Sequence, residues 1–351
     1  MLRSVPSTQL TPFSGLGPDR LLDALAGVGL HGDGRLIQLN SYENRVYQAF
    51  LDDRRVVVAK FYRPQRWSDA QILEEHEFVE QLARVELPVA PALSLFVDPA
   101  SSFAEQCRLI APTLAQFDTP QGCFRFSVAE RLSGRTPELG DSDTLRRMGS
   151  AIGRLHAVGQ QSKFVYRQRL DIATLGVASR DALLSAHAVP LEALAPWRDA
   201  ADAALAAVEA TFARVGPLQL LRLHGDCHLG NVLWAPRGPQ FVDFDDTGTG
   251  PAIQDLWMLL SGDYGSMCSQ VAAVLQGYRS FMNFDLRELR LIEPLRTLRM
   301  LRHSAWIAQR WADPAFPLAF PWFCEPSYWH EQAANLRDQL SAIAAPPLSV
   351  P

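Results

Sequence analysis

Two short segments constrain this chain more than anything else in it. His224-Gly225-Asp226-Cys227-His228-Leu229-Gly230-Asn231 comes first, and Asp243-Phe244-Asp245 begins twelve residues after Asn231. Leu220-Leu221-Arg222-Leu223 reads as a short apolar strand feeding the turn at His224-Gly225. Val232-Leu233-Trp234 resumes an extended path, Pro236-Arg237-Gly238-Pro239 reads as a turn, and Gln240-Phe241-Val242 returns as the partner strand. Such a hairpin brings Asn231 and Asp243 within reach of one cation and leaves Asp226 at the mouth of a loop. Phosphoryl transfer needs this set. Asp226 would orient an acceptor hydroxyl and take its proton, while Asn231 and Asp243 would hold magnesium on a triphosphate. The competing reading is a tight turn with capping Asp and Asn residues. It explains one such residue and not the full set at this spacing.

A second anomaly lies upstream. In Val56-Val57-Val58-Ala59-Lys60-Phe61-Tyr62, period-2 alternation puts Val56, Val58, Lys60 and Tyr62 on one face and Val57, Ala59 and Phe61 on the other. Both faces are apolar, so Lys60 points into a partly buried place and needs an opposite charge. The following helix, roughly Asp69 to Arg84, carries Glu75 on the same face as Phe78 and Leu82. Pairing Lys60 with Glu75 satisfies both and sets an ammonium where it can reach the α- and β-phosphates of ATP. The alternative is a snorkelling surface lysine with an exposed glutamate.

A chain of 351 residues exceeds one compact core, which suggests two lobes. Residues 34–130 carry mostly strand signals plus one helix. After residue 143 the signals are mostly helical, apart from the strand region at 221–244. The expectation is an α+β, bilobed fold with a cleft between a β-rich N-terminal lobe (1–131) and a helical C-terminal lobe (132–351). The crossover falls in Val128-Ala129-Glu130-Arg131-Leu132-Ser133-Gly134, so Glu130 and Leu132 are expected to border the nucleotide. Apolar residues at 48% and charged residues at 20% give an ordinary globular balance. A net charge of −5 argues against broad binding to nucleic acid or anionic membrane. No apolar run is long enough to span a bilayer, and residues 1–13 lack the pattern of a secretory leader. Five scattered cysteines with no Cys-x-x-Cys fit reduced thiols in a cytoplasm.

Other patterns invite weaker readings. His224, Cys227 and His228 could suggest zinc, but three ligands within five residues match no structural zinc spacing; His224 is expected to brace the loop and His228 to be structural. Gly27-Val28-Gly29-Leu30-His31-Gly32 matches G-x-G-x-x-G but follows a helical pattern at 18–26, so it reads as a helix stop. Gly248-Thr249-Gly250-Pro251 reads as a turn. Arg287, Arg290, Arg296, Arg299 and Arg302 recur through a late helical stretch. They read as a solvated, salt-bridged face, with an acidic-substrate groove as the alternative. Trp306, Trp311, Trp322 and Trp329 read as core packing, with an acceptor wall as the alternative.

Taken together, these residues resemble the aminoglycoside phosphotransferase and choline kinase branch of the protein-kinase-like fold. The resemblance extends through Leu39-Asn40-Ser41-Tyr42-Glu43-Asn44-Arg45-Val46-Tyr47, Lys60-Phe61-Tyr62-Arg63-Pro64, Ile72-Leu73-Glu74-Glu75-His76 and Arg310-Trp311-Ala312-Asp313-Pro314-Ala315-Phe316-Pro317. It is nearest to bacterial members described as serine/threonine protein kinases that also autophosphorylate, linked to envelope stress and protection from programmed cell death. It implies ATP and Mg2+ as cofactors, a protein acceptor with Ser or Thr, and a cytoplasmic monomer. It also implies Asp226 as proton acceptor, Asn231 and Asp243 as magnesium ligands, Ser41 in the nucleotide-covering loop, and Asp255 as a helix aspartate bracing the catalytic loop from behind. Phosphorylation of a small alcohol or amine, or a non-catalytic nucleotide-binding scaffold, are the alternatives. The loop at 40–47 contains no glycine, so Ser41, Tyr42 and backbone amides are left to cover the phosphates. Asp243-Phe244-Asp245 lacks a following glycine, which implies a site assembled without activation-loop phosphorylation.

Overall fold

β-branched and aromatic residues alternating along the N-terminal third build a sheet, and the alternation decides what it buries. In the computed structural model, which describes residues 12–350, six antiparallel strands run in the order β1-β2-β3-β6-β5-β4. They are β1 (Gly32–Gln38), β2 (Arg45–Leu51), β3 (Val56–Phe61), β4 (Cys107–Ala111), β5 (Leu114–Thr119) and β6 (Gly122–Glu130). The reading of residues 1–13 as lacking a leader lies almost wholly outside the described residues. Central β3 pairs Lys60 with Val46 of β2 and with Ser127 of β6. Val57, Ala59 and Phe61 are buried against Phe117, Phe126 and the apolar side of α1 (Pro18–Gly27). Val58, Lys60 and Tyr62 face a cleft instead. The helix α1 stops at Gly27 and the chain turns at Gly29, whose φ is 76°, so the glycine-rich segment there is a helix stop.

The helix α2 (Asp69–Arg84) starts at a reciprocal cap between Ser68 and Gln71. Its buried side carries Ile72, Glu75, His76, Phe78, Val79 and Leu82. Phe78, Val79 and Leu82 join the large core of the helical half and not the sheet core. Phe78 packs edge-on against Phe164 and Phe244, 5.5 and 6.2 Å away between ring centroids. Thus α2 is anchored from the opposite half of the molecule.

That half contains α3 (Ser142–Gly159), α4 (Ala178–Ser185), α5 (Leu191–Val215), α6 (Tyr264–Tyr278), α7 (Ile292–Gln309), α8 (Ala315–Ala319) and α9 (Pro326–Ala344). The helices α3 and α6 touch through glycines. A Cβ on Gly149 would fall 1.9 Å from the Val274 carbonyl oxygen, and one on Gly277 would fall 1.8 Å from that of Arg146. Trp197 and Trp329 meet edge-to-face at 5.7 Å, so Trp329 is core, while Trp322 stays partly exposed. Among the described residues no helix is long and apolar enough to cross a membrane.

Four short strands complete the architecture: β7 (Leu221–Leu223), β8 (Val232–Ala235), β9 (Gly238–Phe241) and β10 (Gly248–Gly250). The hairpin β8–β9 pairs Val232 with Phe241 and Ala235 with Gly238. Its turn is therefore only Pro236-Arg237, because Gly238 and Pro239 already belong to the strand. Residues 248–250 correct a second reading. They form a strand antiparallel to β7, with Gly248 opposite Leu223 and Gly250 opposite Leu221. Thr249 also exchanges hydrogen bonds with the segment beside it, through Gln168 O at 3.0 Å and Leu170 N at 2.8 Å. Lacking side chains on its two glycines, this strand fits between β7 and that segment.

One buried polar chain links α2 to the sheet. His76 Nε2 lies 2.8 Å from Tyr62 Oη, His76 Nδ1 lies 2.9 Å from Thr113 Oγ1, and Tyr62 Oη lies 3.0 Å from Ser127 Oγ. Burial, helped by the nearby Lys60 and Arg167 charges, lowers the His76 pKa from 6.5 to about 4. The unfolded chain takes up this proton near its ordinary pKa, whereas the folded one does not until the lowered value. Stability from this group is therefore full above pH 6.5 and falls as pH drops toward about 4. The expected loss is on the order of 3 kcal/mol. Denaturant unfolding across that window should show the slope, and His76→Gln should remove its share of it.

Candidate active site

A cleft of about 410 Å3 opens between the sheet, α2 and the β8–β9 hairpin. Ser41, Lys60, Glu75, Glu130, Leu132, Asn231 and Asp243 all line it. Asp226 stands beside it, where its backbone oxygen accepts a 3.0 Å hydrogen bond from Asn231 Nδ2. Residues far apart in sequence are thus brought to one place.

The loop after β7 is held from behind. Asp255 is completely buried and accepts hydrogen bonds from the backbone N–H of His224 at 2.8 Å and of Gly225 at 2.9 Å. His156 Nε2, 3.1 Å away, supplies a third, and Tyr278 Oη lies 2.9 Å from its other ring nitrogen. Asp255 sits on a 3-10 turn, Ala252–Asp255, and not on the α-helix its sequence suggests. Glu288 fixes that turn by accepting from Ile253 N at 2.8 Å. Gly225 has φ 87°, and a Cβ there would fall 2.2 Å from Asp246 O, so only glycine fits. His224 Nε2 donates to Val242 O at 2.9 Å, tying the catalytic loop to the strand that delivers Asp243.

Asp243 itself adopts the left-handed conformation, φ 59° and ψ 68°, uncommon for a non-glycine residue. The bend turns the chain so that Asp243 and Asp245 both face Lys60. The Lys60 ammonium lies 2.7 Å from Asp245 Oδ1, 3.4 Å from Glu75 Oε1 and 3.6 Å from Asp243 Oδ1. The expected Lys60–Glu75 pair therefore exists, but Asp245 is the nearer partner. Glu75 is shared with buried Arg167, which also donates to Asp245 O and Gln71 O, each at 2.7 Å. Arg66 pairs with Asp245 and, at 2.7 Å, with Asp246. Burial raises the Asp245 proton affinity, yet Arg66 and Lys60 outweigh it and hold the carboxyl far below the usual range. Asp243 behaves oppositely. Desolvation in the cleft and the charges of Asp245, Asp246 and Glu75 outweigh Lys60 and raise its pKa.

Three structural contributors escaped sequence reading: Arg66, Arg167 and Asp245. Asp245 belonged to the motif but looked like a substituted glycine. Nothing local marks an arginine as a partner across 179 residues, the separation of Arg66 from Asp245. The late arginine series divides. Arg287 and Arg296 are paired locally, with Asp285 and Glu293, as a solvated face would be. Arg299 instead reaches Asp226 Oδ1, while His228 Nε2 lies 3.4 Å from Oδ2. Burial favours the neutral acid, but the His228 hydrogen bond and the Arg299 charge hold Asp226 well below ordinary carboxylates. Tyr42 also departs from expectation. Its ring packs toward Trp306, Phe316 and Phe320 at 5.3–6.3 Å instead of covering the phosphates. Ser41 Oγ accepts from Asn44 N at 3.2 Å and shapes that loop.

The donor set suits a hard cation on a triphosphate. With Asn231 Nδ2 committed to Asp226, its Oδ1 carries no hydrogen bond among the described residues. The Asp243 side chain is 52% exposed to the cleft, and Lys60 is its one salt-bridge partner among the described residues. A carboxylate and an amide oxygen match the sparse protein ligation that magnesium prefers.

The ion network sets a rank order. In double-mutant cycles read by denaturant unfolding, Lys60 with Asp245 should couple by at least ~1 kcal/mol. Lys60 with Glu75 should couple less, since Glu75 retains Arg167. Additive losses for both pairs would remove Lys60 from the network.

Comparison with known proteins finds relatives across most of the chain. The profile of the phosphotransferase enzyme family, APH, matches residues 35–292. Stress response kinase A of Escherichia coli strain K12 is 41% identical over 338 residues, 96% of this chain and 97% of that protein. Serine/threonine protein kinase RdoA of Salmonella typhimurium strain LT2 is 39% identical over the same shares of the two chains. Among solved structures, amicoumacin kinase hAmiN in complex with AMP-PNP and Ca2+ has a TM-score of 0.67 at 17% identity, over 94% of each chain. A microcompartment-associated aminopropanol kinase has a TM-score of 0.66 at 17% identity, over 93% of this chain and 98% of its own. These two share the fold: a sheet-bearing N-terminal half on a helical C-terminal half. The chain belongs to the phosphotransferase enzyme family, as a kinase.

Proposed function

We propose that this chain is an ATP- and magnesium-dependent serine/threonine protein kinase of the stress response kinase A type. It transfers the γ-phosphate to protein hydroxyls, its own included, as a cytoplasmic monomer serving stress response and protection from cell death. Residues 1–131 hold the nucleotide, and residues 132–351 supply the catalytic and acceptor side of one kinase unit. The observation that carries the reading is the meeting of Lys60, Asn231 and Asp243 in one cleft with Asp226 hydrogen-bonded to Asn231 at its edge. The 41% identity across nearly the full length of stress response kinase A favours a protein acceptor.

In this reading Lys60 holds the α- and β-phosphate oxygens, and Glu75 keeps its ammonium in place. Ser41 and the backbone of residues 40–47, with Glu130 and Leu132, border the nucleotide. Asn231 and Asp243 hold magnesium, which when bound offsets charge on the phosphates. Asp226 accepts the hydroxyl proton while the hydroxyl oxygen bonds to the γ-phosphorus, the bond from that phosphorus to the β–γ bridging oxygen breaks, and ADP leaves. Phosphorylation of a small alcohol uses the same residues, and the fold neighbours with small-molecule acceptors keep that reading open. A cationic amine is disfavoured, because Arg299 stands at the proton acceptor.

Incubation with labelled ATP and magnesium, alone and beside a protein acceptor and a metabolite panel, separates these readings. Label on protein Ser or Thr is expected. Label on metabolites alone would move the function to small molecules, and no transfer at all would leave a nucleotide-binding scaffold. Asp226→Ala should leave ATP affinity largely intact and lower transfer by ~10²–10⁴.

The raised pKa of Asp243 gives a signed pH dependence. Metal needs the ionised carboxylate, so magnesium-dependent nucleotide affinity should be full at pH 8. It should decline on acidification earlier than an ordinary carboxylate would allow. Calorimetry in steps from pH 8 to pH 5 should show this decline in the wild type. Asp243→Asn should abolish the magnesium-dependent part throughout.

A further inference from the structure

Asp226 has both carboxylate oxygens engaged. Oδ1 pairs with Arg299 and Oδ2 lies 3.4 Å from His228 Nε2. Each oxygen keeps a further lone pair, so an acceptor hydroxyl can join these partners, and release of one contact frees that oxygen fully. Because His228 is also held through Nδ1, which accepts from Gly230 N at 3.0 Å, Arg299 is the partner better placed to give way. It comes from α7, 73 residues along the chain, and its side chain is 45% exposed. A guanidinium carries five N–H donors in a planar fork. Only Nη1 of Arg299 is used among the described residues. Its neighbour Arg296, by contrast, is satisfied by Glu293 at 3.0 Å. Nor is Arg299 needed to hold the catalytic loop, which Asp255 already fixes.

Charge points the same way. Asp226, Asp243 and a bound triphosphate make the cleft anionic, so an acceptor with a carboxylate or phosphate near its hydroxyl is repelled unless a cation meets it. Arg299 places that cation against the proton acceptor itself. We propose that Arg299 is an acceptor-recognition residue, exchanging its pairing with Asp226 for an anionic group beside the acceptor hydroxyl. Asp226 is then uncovered when an acidic acceptor is seated. The exchange is of ion pairs alone, with no covalent change. The substrate class is a Ser or Thr hydroxyl flanked by Asp, Glu or a phosphorylated residue, read through a planar two-pronged contact. This deepens the proposed kinase function and rests on it for the hydroxyl acceptor.

The test compares kcat/KM for peptides differing only in the residue after the acceptor serine: Glu, phosphoserine, Gln or Lys. Wild type, Arg299→Gln and Arg299→Glu are measured, with calorimetry of Mg–ATP and thermal unfolding to show that each is folded. Wild type should favour the Glu peptide over the Lys peptide by about ten-fold or more. Arg299→Gln should lose the preference and Arg299→Glu should invert it. A further gain with phosphoserine marks phosphate as the anion read, and equality with Glu marks a carboxylate; either supports the assignment. Equal wild-type rates on Glu and Lys peptides overturn it. So does an Arg299→Gln protein faster on every peptide, which would make the arginine a restraint on Asp226. If no peptide is labelled, the protein-kinase reading fails, and the assignment is read on glycerate, glycerol and ethanolamine in the same three proteins. Glycerate must then lead in the wild type and lose its lead in Arg299→Gln; any other order, or label on none, overturns the inference.

Discussion

The charge of Asp245 is the constraint on which the rest of the site hangs. Its side chain is 4% exposed, and an isolated carboxylate so placed would cost several kcal/mol. It is tolerable only because Lys60 comes from β3, Arg66 from the segment after β3, and Arg167 reaches its backbone oxygen from the segment after α3. Arg167 and Lys60 in turn both hold Glu75 of α2. Glu75 keeps one partner if the other is lost, but Asp245 draws on Lys60 and Arg66 together, so the pieces are coupled. Glu74 adds to this by accepting the backbone N–H groups of Tyr166 and Arg167 at 2.9 and 2.7 Å. Asp245 stands where a glycine would give a mobile segment. Here the third residue of the motif is an anchor for β3 and the segment after it.

The nucleotide-side loop follows the same logic. Glu43 is buried beneath it and accepts from Trp306 Nε1 at 2.6 Å and from Arg310 Nη2 at 2.9 Å. Burial opposes its ionisation, but Arg66 and Arg310 prevail and keep its pKa below normal. Arg63 donates to Glu43 O and to Asp313, at 3.0 and 2.8 Å, while its own N–H binds Asn44 Oδ1. A loop without glycine is thus fastened at its root to the C-terminal helices, and Tyr42 adds an aromatic contact to the same wall.

What the sequence disclosed follows from how local each signal is. Strand alternation around Lys60, the extent of α2 and the hairpin carrying Asn231 and Asp243 are written in neighbouring residues, and they were legible. Ser41, Lys60, Glu75, Glu130, Leu132, Asn231 and Asp243 could be assigned to one cleft because each sits in a short motif. The strand at 248–250 was not legible, since two glycines give no alternation and only the β7 partner makes them a strand. Arg66 and Arg167 were not legible as site residues either, and Arg299 was legible only as one of five arginines whose alternative reading was an acidic-substrate groove. Arginines are common on surfaces, and the carboxylates that claim these three lie 73 to 180 residues away. The glycine contacts between α3 and α6 likewise exist only once two helices are brought together.

Three aspartates within twenty residues end in three electrostatic settings, and the settings assign their roles. Asp245 is held below the ordinary range by Arg66 and Lys60, so it stays charged and has no proton capacity to offer. It is structural. Asp243 is raised by desolvation and by three neighbouring carboxylates, so it is the group with most to gain from a divalent cation. Asp226 is depressed by His228 and Arg299, whose side chains are 39% and 45% exposed. Loss of Arg299 from that pairing leaves Asp226 with His228 alone and raises its proton affinity. In the proposed kinase, Asp226 would therefore become a better base at the moment its arginine is drawn elsewhere.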